Sequence, residues 1–342
     1  MSKKVLIIGP DYFGYNESVE NSFIELGWET KVINYYELCP PGFVNFIQCR
    51  VLNKMGIKHF VNKYLQKLNN EIINEFKTFN PTMVVVVKGN NVFPETLKAM
   101  ESAKKVLWMM DSIYRYPEST LRHVREYDER FMFEENDVIK LKEEGVDAHF
   151  LPMGVDTSNY YHINNSDRDI DLLFVGKLYD KRIDLFTKMI KRFPSLNIQI
   201  YGNYTDWKKP GRYINYYLKG YNKYFKNQYV KPDVLNKLYS KSRIALNIHH
   251  AQSQNGCNPR VFEILATKTF QIVDINKYIQ EHFINNNYLV GFADDEDLFR
   301  KIEDYIDRPA DRERISERGY SYVLSEHTFL HRIKTMLEIV RL

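Results

Sequence analysis

Short apolar runs recur along this chain, and between them lie longer stretches in which apolar residues follow helical spacing. The strands that these runs predict in the first half of the chain are residues 5–9, 31–35, 83–87, 106–110 and 131–133, and a further strand is predicted within 148–156. The run at 83–87 has no polar alternation, which is typical of a parallel strand buried on both faces. A helix is predicted over residues 18–26, with Gly27 at its end. Strands that alternate with helices predict a doubly wound α/β domain.

The same pattern starts again after a polar stretch at 164–167, which is predicted to be a linker. The strands predicted in the second half are residues 171–176, 197–202, 244–248 and 270–274. The predicted fold class is therefore α/β, with two Rossmann-like doubly wound domains. The predicted boundaries are 1–160 for an N-terminal acceptor domain, 168–325 for a C-terminal nucleotide-sugar domain, and 326–342 for a helix available to pack back on the first domain.

Composition places the chain among soluble globular proteins, because 44% of its 342 residues are apolar and 27% are charged. No run approaches the roughly 18 apolar residues that a membrane helix needs, and the N-terminus has no signal-peptide pattern. A cytoplasmic protein is therefore expected. The three cysteines, Cys39, Cys49 and Cys257, lack metal-ligand spacing, so neither a disulfide framework nor a zinc site is predicted.

The most informative segment is 255–263, Asn-Gly-Cys-Asn-Pro-Arg-Val-Phe-Glu, which predicts a loop that feeds a helix with an exposed start. It lies between two predicted strands, where open parallel sheets bind ligands. Free N–H groups at the helix start and the Arg260 guanidinium can hold a diphosphate, and the Glu263 carboxylate can accept hydrogen bonds from two sugar hydroxyls. The alternative is an ordinary surface ion pair worth ~0.2–0.5 kcal/mol. The position at a strand end favours a nucleotide-sugar site.

Several segments together resemble the CgeB/YkvP-like (spore-maturation type) glycosyltransferases. They are residues 246–249, 258–263, 270–274 and 326–329 with Arg332 in the second half, and 88–90 and 108–111 in the first half. The resemblance implies a GT-B fold, in which two domains face each other across a cleft. It implies a nucleotide-sugar donor in the C-terminal domain, with a UDP-sugar as the expected one, and an acceptor in the N-terminal domain. It also implies that no divalent metal or other cofactor is obligatory.

Two positions depart from the pattern of the wider group-1 glycosyltransferases, which this family resembles. Asn255 stands where many retaining members have a first glutamate, so only Glu263 remains and the anomeric outcome stays open. Lys268 stands where a helix-ending glycine is usual, which predicts an altered turn.

The remaining predicted site residues lie mainly at strand ends. On the donor side, His249 is favoured over His250 because two successive residues point to opposite sides of a strand. Lys177 and Arg182 resemble the cation pair that binds diphosphate in related enzymes. The other predicted donor contacts are Gly176, Tyr201, Asn203, Tyr229, Val230 and Asn258.

The first domain supplies the predicted acceptor side and the catalytic base. Asp111, which follows an apolar strand, is the favoured base, and Asp11 is the reserve. Helix capping and turn formation are equally good explanations of both residues. The predicted acceptor-side residues are Tyr12, Gly14, Lys88 and Asn90. The acidic triplets at 169–171 and 295–297 mimic a metal site but lie at the wrong ends of their elements, so no metal site is predicted.

The sequence therefore predicts a metal-independent glycosyltransferase that moves a hexose from a nucleotide-diphosphate sugar to a glycan or protein acceptor, in surface, spore or S-layer glycan assembly. A Lys/Tyr-rich segment at 207–231 could instead bind nucleic acid, which would indicate an enzyme that glycosylates modified DNA bases. An amphipathic helical hairpin explains that segment equally well, and a net charge of +4 is weak support for a nucleic-acid partner. A third possibility is a non-catalytic nucleotide-sugar-binding protein.

Overall fold

A computed structural model describes residues 3–10, 14–116, 123–164, 166–206, 208–250 and 253–341. The chain divides into two compact units, of which the first comprises Met1–Met153 with Phe329–Leu342 and the second Gly154–Thr328. The predicted linker at 164–167 lies inside the second unit. The reason is local, because the backbone N–H of Val155 bonds to the carbonyl of His327, and the N–H of Tyr161 bonds to Asn236.

The first unit contains a parallel sheet with the strand order β2-β1-β3-β4-β5-β6. Its strands are β1 (Lys4–Pro10), β2 (Glu29–Tyr35), β3 (Met83–Val87), β4 (Lys104–Met109), β5 (Glu129–Met132) and β6 (His149–Phe150). Its helices before the second unit are α1 (Tyr15–Glu25), α2 (Phe43–Phe46), a π-helical turn (Ile47–Val51), α3 (Leu52–Lys54), α4 (His59–Phe79), α5 (Pro94–Lys98), a 3-10 turn (Ile113–Arg115) and α6 (Glu135–Glu143).

The uninterrupted apolar runs of this sheet follow from burial on both faces. Along β1, Leu6 packs into one apolar cluster and Val5 into another, and along β3 Val84 and Val85 divide in the same way. Every residue of β3 is fully buried. A strand covered on both faces has no exposed face to make polar, which is why the sequence shows no alternation there.

The second unit repeats this design with the strand order β11-β10-β9-β7-β8, again all parallel. Its strands are β7 (Ile170–Val175), β8 (Ile198–Tyr201), β9 (Ser242–Asn247), β10 (Gln271–Asp274) and β11 (Val290–Phe292). Its helices are α7 (Asp180–Arg192), α8 (Pro210–Leu218), a 3-10 turn (Tyr221–Lys223), α9 (Pro232–Ser240), α10 (Arg260–Ala266), α11 (Lys277–Ile279) with a π-helical turn (Gln280–Ile284), α12 (Asp295–Ile306) and α13 (Pro309–Glu326). The prediction of an α/β fold with two parallel sheets is confirmed.

The last helix, α14 (Phe329–Val340), belongs to the first unit although it follows the second in sequence. Its buried residues Phe329, Ile333 and Met336 join the apolar cluster around Trp108. The rings of Trp108 and Phe329 meet edge to face with their centroids 6.0 Å apart. Among the described residues, no helix combines the length and the apolar character that crossing a membrane requires.

The turn after α10 keeps the usual geometry despite its lysine. Lys268 has a φ of 57°, and its N–H bonds to the carbonyl of Leu265 at 2.9 Å. The expectation of an altered turn is therefore wrong, because Lys268 adopts the left-handed conformation that glycine usually supplies. An ion pair between the Lys268 ammonium and Glu317 holds this side chain.

The ends of β7 and β8 approach each other through two glycines. Gly202 has a φ of 150°, and a Cβ atom on it would lie 2.1 Å from the carbonyl oxygen of Gly176. We expect Gly202→Ala to lower the free energy of unfolding by about 2–3 kcal/mol, because the backbone must move to relieve the clash. Urea denaturation measures this effect. Gly211→Ala in α8 is the control, since its Cβ meets nothing within 4 Å. Equal midpoints for the two variants would contradict the predicted clash.

Candidate functional site

The carboxyl edge of the second sheet gathers the predicted donor residues. The strands β10, β9, β7 and β8 are neighbours in the sheet, so their carboxyl ends lie side by side. Gly176 and Arg182 follow β7, His249 follows β9, and Asp274 ends β10. The loop that leaves β9 leads into α10, which starts at Arg260. This is the edge at which open parallel sheets bind ligands.

Arg182 is fixed at this edge by backbone carbonyls. Its Nη1 donates to the carbonyl of Lys177 at 2.7 Å and its Nη2 to that of Ile248 at 2.6 Å. Burial lowers the pKa of Arg182, and the nearby positive charge of Arg260 lowers it further. Two guanidinium groups that repel each other in a partly buried place favour the binding of an anion between them or beside them.

Glu263 is the most perturbed carboxylate of the second unit. Its side chain is buried, and burial raises its pKa to about 7, although the charge of Arg260 acts in the opposite direction. No hydrogen bond or ion pair joins its carboxylate to another described residue. Buried carboxylates normally have partners, and a desolvated carboxylate without one is a signature of a functional site.

The position of Glu263 corrects one expectation from the sequence. The helix start was expected to be exposed, yet Val261 and every later residue of α10 is buried, and only Arg260 is partly exposed. The segment Val-Phe-Glu-Ile-Leu-Ala carries Glu263 among apolar neighbours, so the carboxylate enters the interior with them. An ordinary surface ion pair is therefore not the explanation of these two residues.

Two tyrosines complete the surroundings of this pair. Partial burial raises the pKa of Tyr229, and the charges of both Arg260 and Glu263 act on its hydroxyl. Tyr239, on α9, is fully buried, and the same two charges act on it. Tyr229 was predicted from the sequence as a donor contact. Tyr239 was not, because a buried tyrosine at helical spacing looks like any core residue.

His249 is held by Asp274 at the end of the neighbouring strand. Its backbone N–H donates to Asp274 Oδ1 at 2.8 Å, and its Nδ1 lies 2.7 Å from the same oxygen. Nε2 is buried and has no partner among the described residues. In the neutral ring, a carboxylate at Nδ1 places the proton there and leaves Nε2 as an acceptor. His250 is partly exposed, with its ring centroid 5.1 Å from that of Tyr179.

The other predicted donor residues differ in their surroundings, because some contact protein side chains, another is buried and two are exposed. The Asn258 and Asn247 side chains exchange two hydrogen bonds of 2.9 and 3.1 Å, which ties the loop before α10 to the end of β9. The Tyr201 hydroxyl donates to Gln199 at 3.0 Å. Val230 is buried, whereas Asn203 and Lys177 are exposed. Lys177 lies over the Tyr179 ring at 5.1 Å.

The predicted base, Asp111, lies in a charged cluster of the first unit. The buried ammonium of Lys88 contacts Asp111 Oδ2 at 3.1 Å and also pairs with Glu37. Burial alone would lower the pKa of Lys88, but the hydrogen bond to Glu37 and the charge of Asp111 outweigh it and raise the pKa. Asp111 also accepts hydrogen bonds from Tyr116 at 3.0 Å and Arg115 at 3.4 Å. Nothing in the sequence indicated a role for Glu37, which is distant from Lys88 and Asp111 along the chain.

Lys88 has a left-handed backbone, with a φ of 69°, and Gly89 follows with a φ of 67°. Such a conformation is uncommon for a residue other than glycine and occurs in turns, at helix ends and at functional sites. Asn90 has a buried Oδ1 without a partner among the described residues. Gly14 has a φ of 75° and begins α1. The predicted residues Asp11 and Tyr12 lie outside the described residues.

The two acidic triplets have structural roles. Asp171 pairs with Arg243 at 2.9 Å and accepts the backbone N–H of Asn197 at 2.8 Å. Asp295 pairs with Lys188 at 2.7 Å at the start of α12. Within the described part of the chain, no group of His, Cys, Asp and Glu side chains is arranged to hold a metal ion.

The Lys/Tyr-rich segment divides into a packed and an exposed part. Lys209 and Arg212 pair with Asp180, and Tyr216 stacks on Tyr204 with a centroid distance of 6.0 Å. By contrast, Tyr217 on α8 is 65% exposed. Two of the basic groups therefore serve intramolecular contacts rather than an external polyanion.

Comparison with known proteins agrees with this architecture. Residues 182–338 match a family model described as "Glycosyl transferase-like". No curated protein sequence matches the chain. Three solved structures resemble it over nearly its full length, although sequence identity is low. The chain has the GT-B fold of glycosyltransferases. The narrower resemblance to CgeB/YkvP-like proteins stays a prediction.

The three structures are similar in length as well as in fold. The glycosyltransferase from Rickettsia africae is 14% identical, with a TM-score of 0.67 and coverage of 99% of this chain and 97% of that chain. The sucrose-phosphate synthase from Thermosynechococcus elongatus is 11% identical, with a TM-score of 0.66 and coverage of 99% and 98%. The UDP-forming α,α-trehalose-phosphate synthase from Burkholderia vietnamiensis is 10% identical, with a TM-score of 0.64 and coverage of 100% of both chains.

The raised pKa of Glu263 predicts a pH-dependent stability. Between its ordinary pKa of 4.5 and its folded value of about 7, the native state binds more protons than the unfolded state, so stability falls as pH rises. We expect ligand-free Glu263→Gln to gain stability over wild type as pH rises from 5 to 8, by on the order of 3 kcal/mol. Urea denaturation at both pH values measures the gain. A difference between the two proteins that does not change with pH would contradict the prediction.

Proposed function

We propose that this protein is a glycosyltransferase that moves a hexose from a nucleotide-diphosphate sugar to an acceptor hydroxyl. The observation that carries the proposal is the buried carboxylate of Glu263 beside Arg260 at the carboxyl edge of the second sheet. A carboxylate that has lost water and has no hydrogen-bond partner among the described residues can accept hydrogen bonds from vicinal hydroxyls of a ribose.

The cations at the same edge fit the other half of such a donor. Arg182 and Arg260 act on each other electrostatically, and the exposed Lys177 follows the same strand as Arg182. A diphosphate would relieve the repulsion between the two guanidinium groups. The buried Nε2 of His249 offers an acceptor for a hydroxyl of the sugar or ribose.

A UDP-sugar is the donor that we propose. The Burkholderia structure named above is described as UDP-forming, and its fold is shared by this chain. The resemblance to CgeB/YkvP-like proteins supports a glycan or protein acceptor in surface, spore or S-layer glycan assembly. We place the acceptor near Lys88 and Asn90, because Lys88 is held in a left-handed conformation and Asn90 has a buried oxygen with no partner among the residues that the structure describes.

Replacing Arg260 tests the donor site. We expect Arg260→Ala to weaken UDP-sugar binding by about 10-fold to 150-fold, because one charge-assisted contact contributes ~1.5–3 kcal/mol. Isothermal titration calorimetry measures the affinity. The control is Arg318→Ala, which removes an equal charge from an exposed position on α13. Equal loss in both variants would show a non-specific charge effect and would contradict the assignment.

The proposal includes transfer without a divalent metal. Arg182, Arg260 and Lys177 supply positive charge at the place where the diphosphate leaves, which is the task that a metal ion performs in other enzymes. We expect turnover, followed as UDP release, to continue at an undiminished rate in excess chelator. Loss of turnover that manganese restores would refute metal independence. It would leave the assignment of the donor-binding residues unaffected.

The role of Asp111 is open to a direct test, because base catalysis and ion pairing require different behaviour of its contact with Lys88. Taking a proton from an acceptor would break the pairing of Asp111 with Lys88, whereas a structural role would need that pairing intact. Glu37 is the matched control, since it pairs with the same ammonium.

If Asp111 is the base of an inverting reaction, Asp111→Asn lowers kcat by ~10²–10⁴ at unchanged donor affinity. Under the same assumption Glu37→Gln keeps kcat within a few-fold of wild type. Steady-state kinetics with donor and acceptor varied separately provides both values. A similar loss in the two variants would assign Asp111 to the ion-pair cluster and not to proton transfer.

A further inference from the structure

The segment after β2 exposes large apolar side chains to an unusual extent. Residues 43–57 contain α2, the π-helical turn and α3. Phe43 is 78% exposed, Met55 70% and Val44 62%. The other exposed large apolar residues of this segment are Phe46, Ile47, Val51 and Ile57. A soluble domain exposes single apolar residues commonly, but a cluster within fifteen consecutive positions indicates an interaction surface.

The helical part of this segment exposes its largest apolar side chains while several polar amides are half-buried. Asn45, Gln48 and Asn53 are half-buried together with Leu52, and Cys49 is buried, whereas the phenylalanines at 43 and 46 are exposed. Amphipathic helices of soluble proteins bury their apolar face and expose the polar one. Here the polar amides are turned toward the protein body, so intramolecular packing does not explain the apolar face.

The charged side chains along this stretch of sequence are wholly positive. Residues 38–70 contain no Asp or Glu, although acidic residues are almost as numerous as basic ones in the whole chain. The basic side chains of this stretch are Arg50, Lys54, Lys58, Lys63 and Lys67. All five are exposed, and none forms an ion pair with another described residue.

We propose that residues 43–58 bind the surface of a membrane that contains anionic lipids. Aromatic and aliphatic side chains beside lysines and arginines are the combination that inserts into the boundary between headgroups and acyl chains. Lysine is depleted in protein interfaces, which argues against a protein partner. A nucleic acid would use the cations but would leave Val44 and Met55 exposed. The proposal does not depend on the donor site, which lies in the other unit.

The surface lies at the carboxyl edge of the first sheet. The segment starts a few residues after the end of β2, and Glu37, just before it, pairs with Lys88 of the charged cluster. Membrane binding through residues 43–58 would hold this edge of the first unit at the lipid surface. An acceptor carried by a lipid or embedded near the headgroups is the substrate class that such a placement suits.

Vesicle flotation of the whole protein tests the proposal. The probes are vesicles of phosphatidylcholine with phosphatidylglycerol and vesicles of phosphatidylcholine alone. We expect wild type to bind the anionic vesicles, with weaker binding at high salt. Two double variants separate the two contributions, Phe43→Ser with Met55→Ser and Lys54→Glu with Lys58→Glu. Each should weaken binding by about 10-fold or more.

The control is Ile139→Ser with Lys142→Glu, which alters an exposed apolar residue and an exposed cation on α6. It should bind vesicles as wild type does. Thermal melting and UDP-sugar affinity, measured for all variants, should remain unchanged and thereby separate this test from that of the donor site. Failure of wild type to bind anionic vesicles, or binding that the segment variants leave unchanged, would overturn the proposal. A dimer in light scattering that Phe43→Ser with Met55→Ser dissociates, without vesicle binding, would assign the surface to self-association instead.

Discussion

Strands covered on both faces leave little room for polar side chains along their length, and the central strands of both sheets are of this kind. Val84 and Val85 go to different clusters of apolar residues, and neither side of β3 reaches solvent. Polar groups therefore collect where the strands end. In parallel sheets all carboxyl ends point to one edge, so residues distant in sequence become neighbours there. Lys88, Asp111, His249 and Asp274 all owe their positions to this constraint.

Two charged groups at this edge lower the free energy of unfolding of the ligand-free second unit. Glu263 is carried into the interior by the apolar residues of α10, and burial raises its pKa toward neutrality. Arg182 donates to two carbonyls, which hold it near the charge of Arg260. Neither arrangement stabilises the ligand-free protein. Both are understandable as preorganisation, in which the charges are already in place when a ligand arrives and need no rearrangement.

The first unit uses charge differently. Lys88 is surrounded by Glu37, Asp111 and Tyr116, so its charge is compensated within the protein. Its strained backbone is then the more informative feature, because an ion pair alone does not require a left-handed residue. A compensated cluster of carboxylates, ammonium and hydroxyl groups suits a neutral, hydroxyl-rich ligand better than an anion. This contrast between the two units matches the division of labour between an anionic donor and a sugar-like acceptor.

The sequence was sufficient for the features that depend on local pattern. Apolar runs predicted the strands of both sheets except β11. That strand was missed because its run, Val-Gly-Phe, is too short to be recognised as a strand. The sequence also singled out Arg260 and Glu263 as candidate site residues, although it predicted exposure where Glu263 is buried. Contacts between segments that are distant in the sequence could not be predicted from local pattern. Nothing in the sequence links Glu37 to Lys88, brings Tyr239 to Arg260 and Glu263, or shows that Asp274 holds the ring of His249.

The place of α14 has a consequence for how the chain matures. The first unit is discontinuous, because Phe329–Leu342 completes a cluster that otherwise consists of residues before Met153. During synthesis from the N-terminus, the site beside Trp108 stays uncovered until α14 has left the ribosome. The second unit, Gly154–Thr328, is continuous and has all its parts earlier. The first unit therefore starts folding before the second but is completed after it, and loss of α14 would damage the first sheet rather than the second.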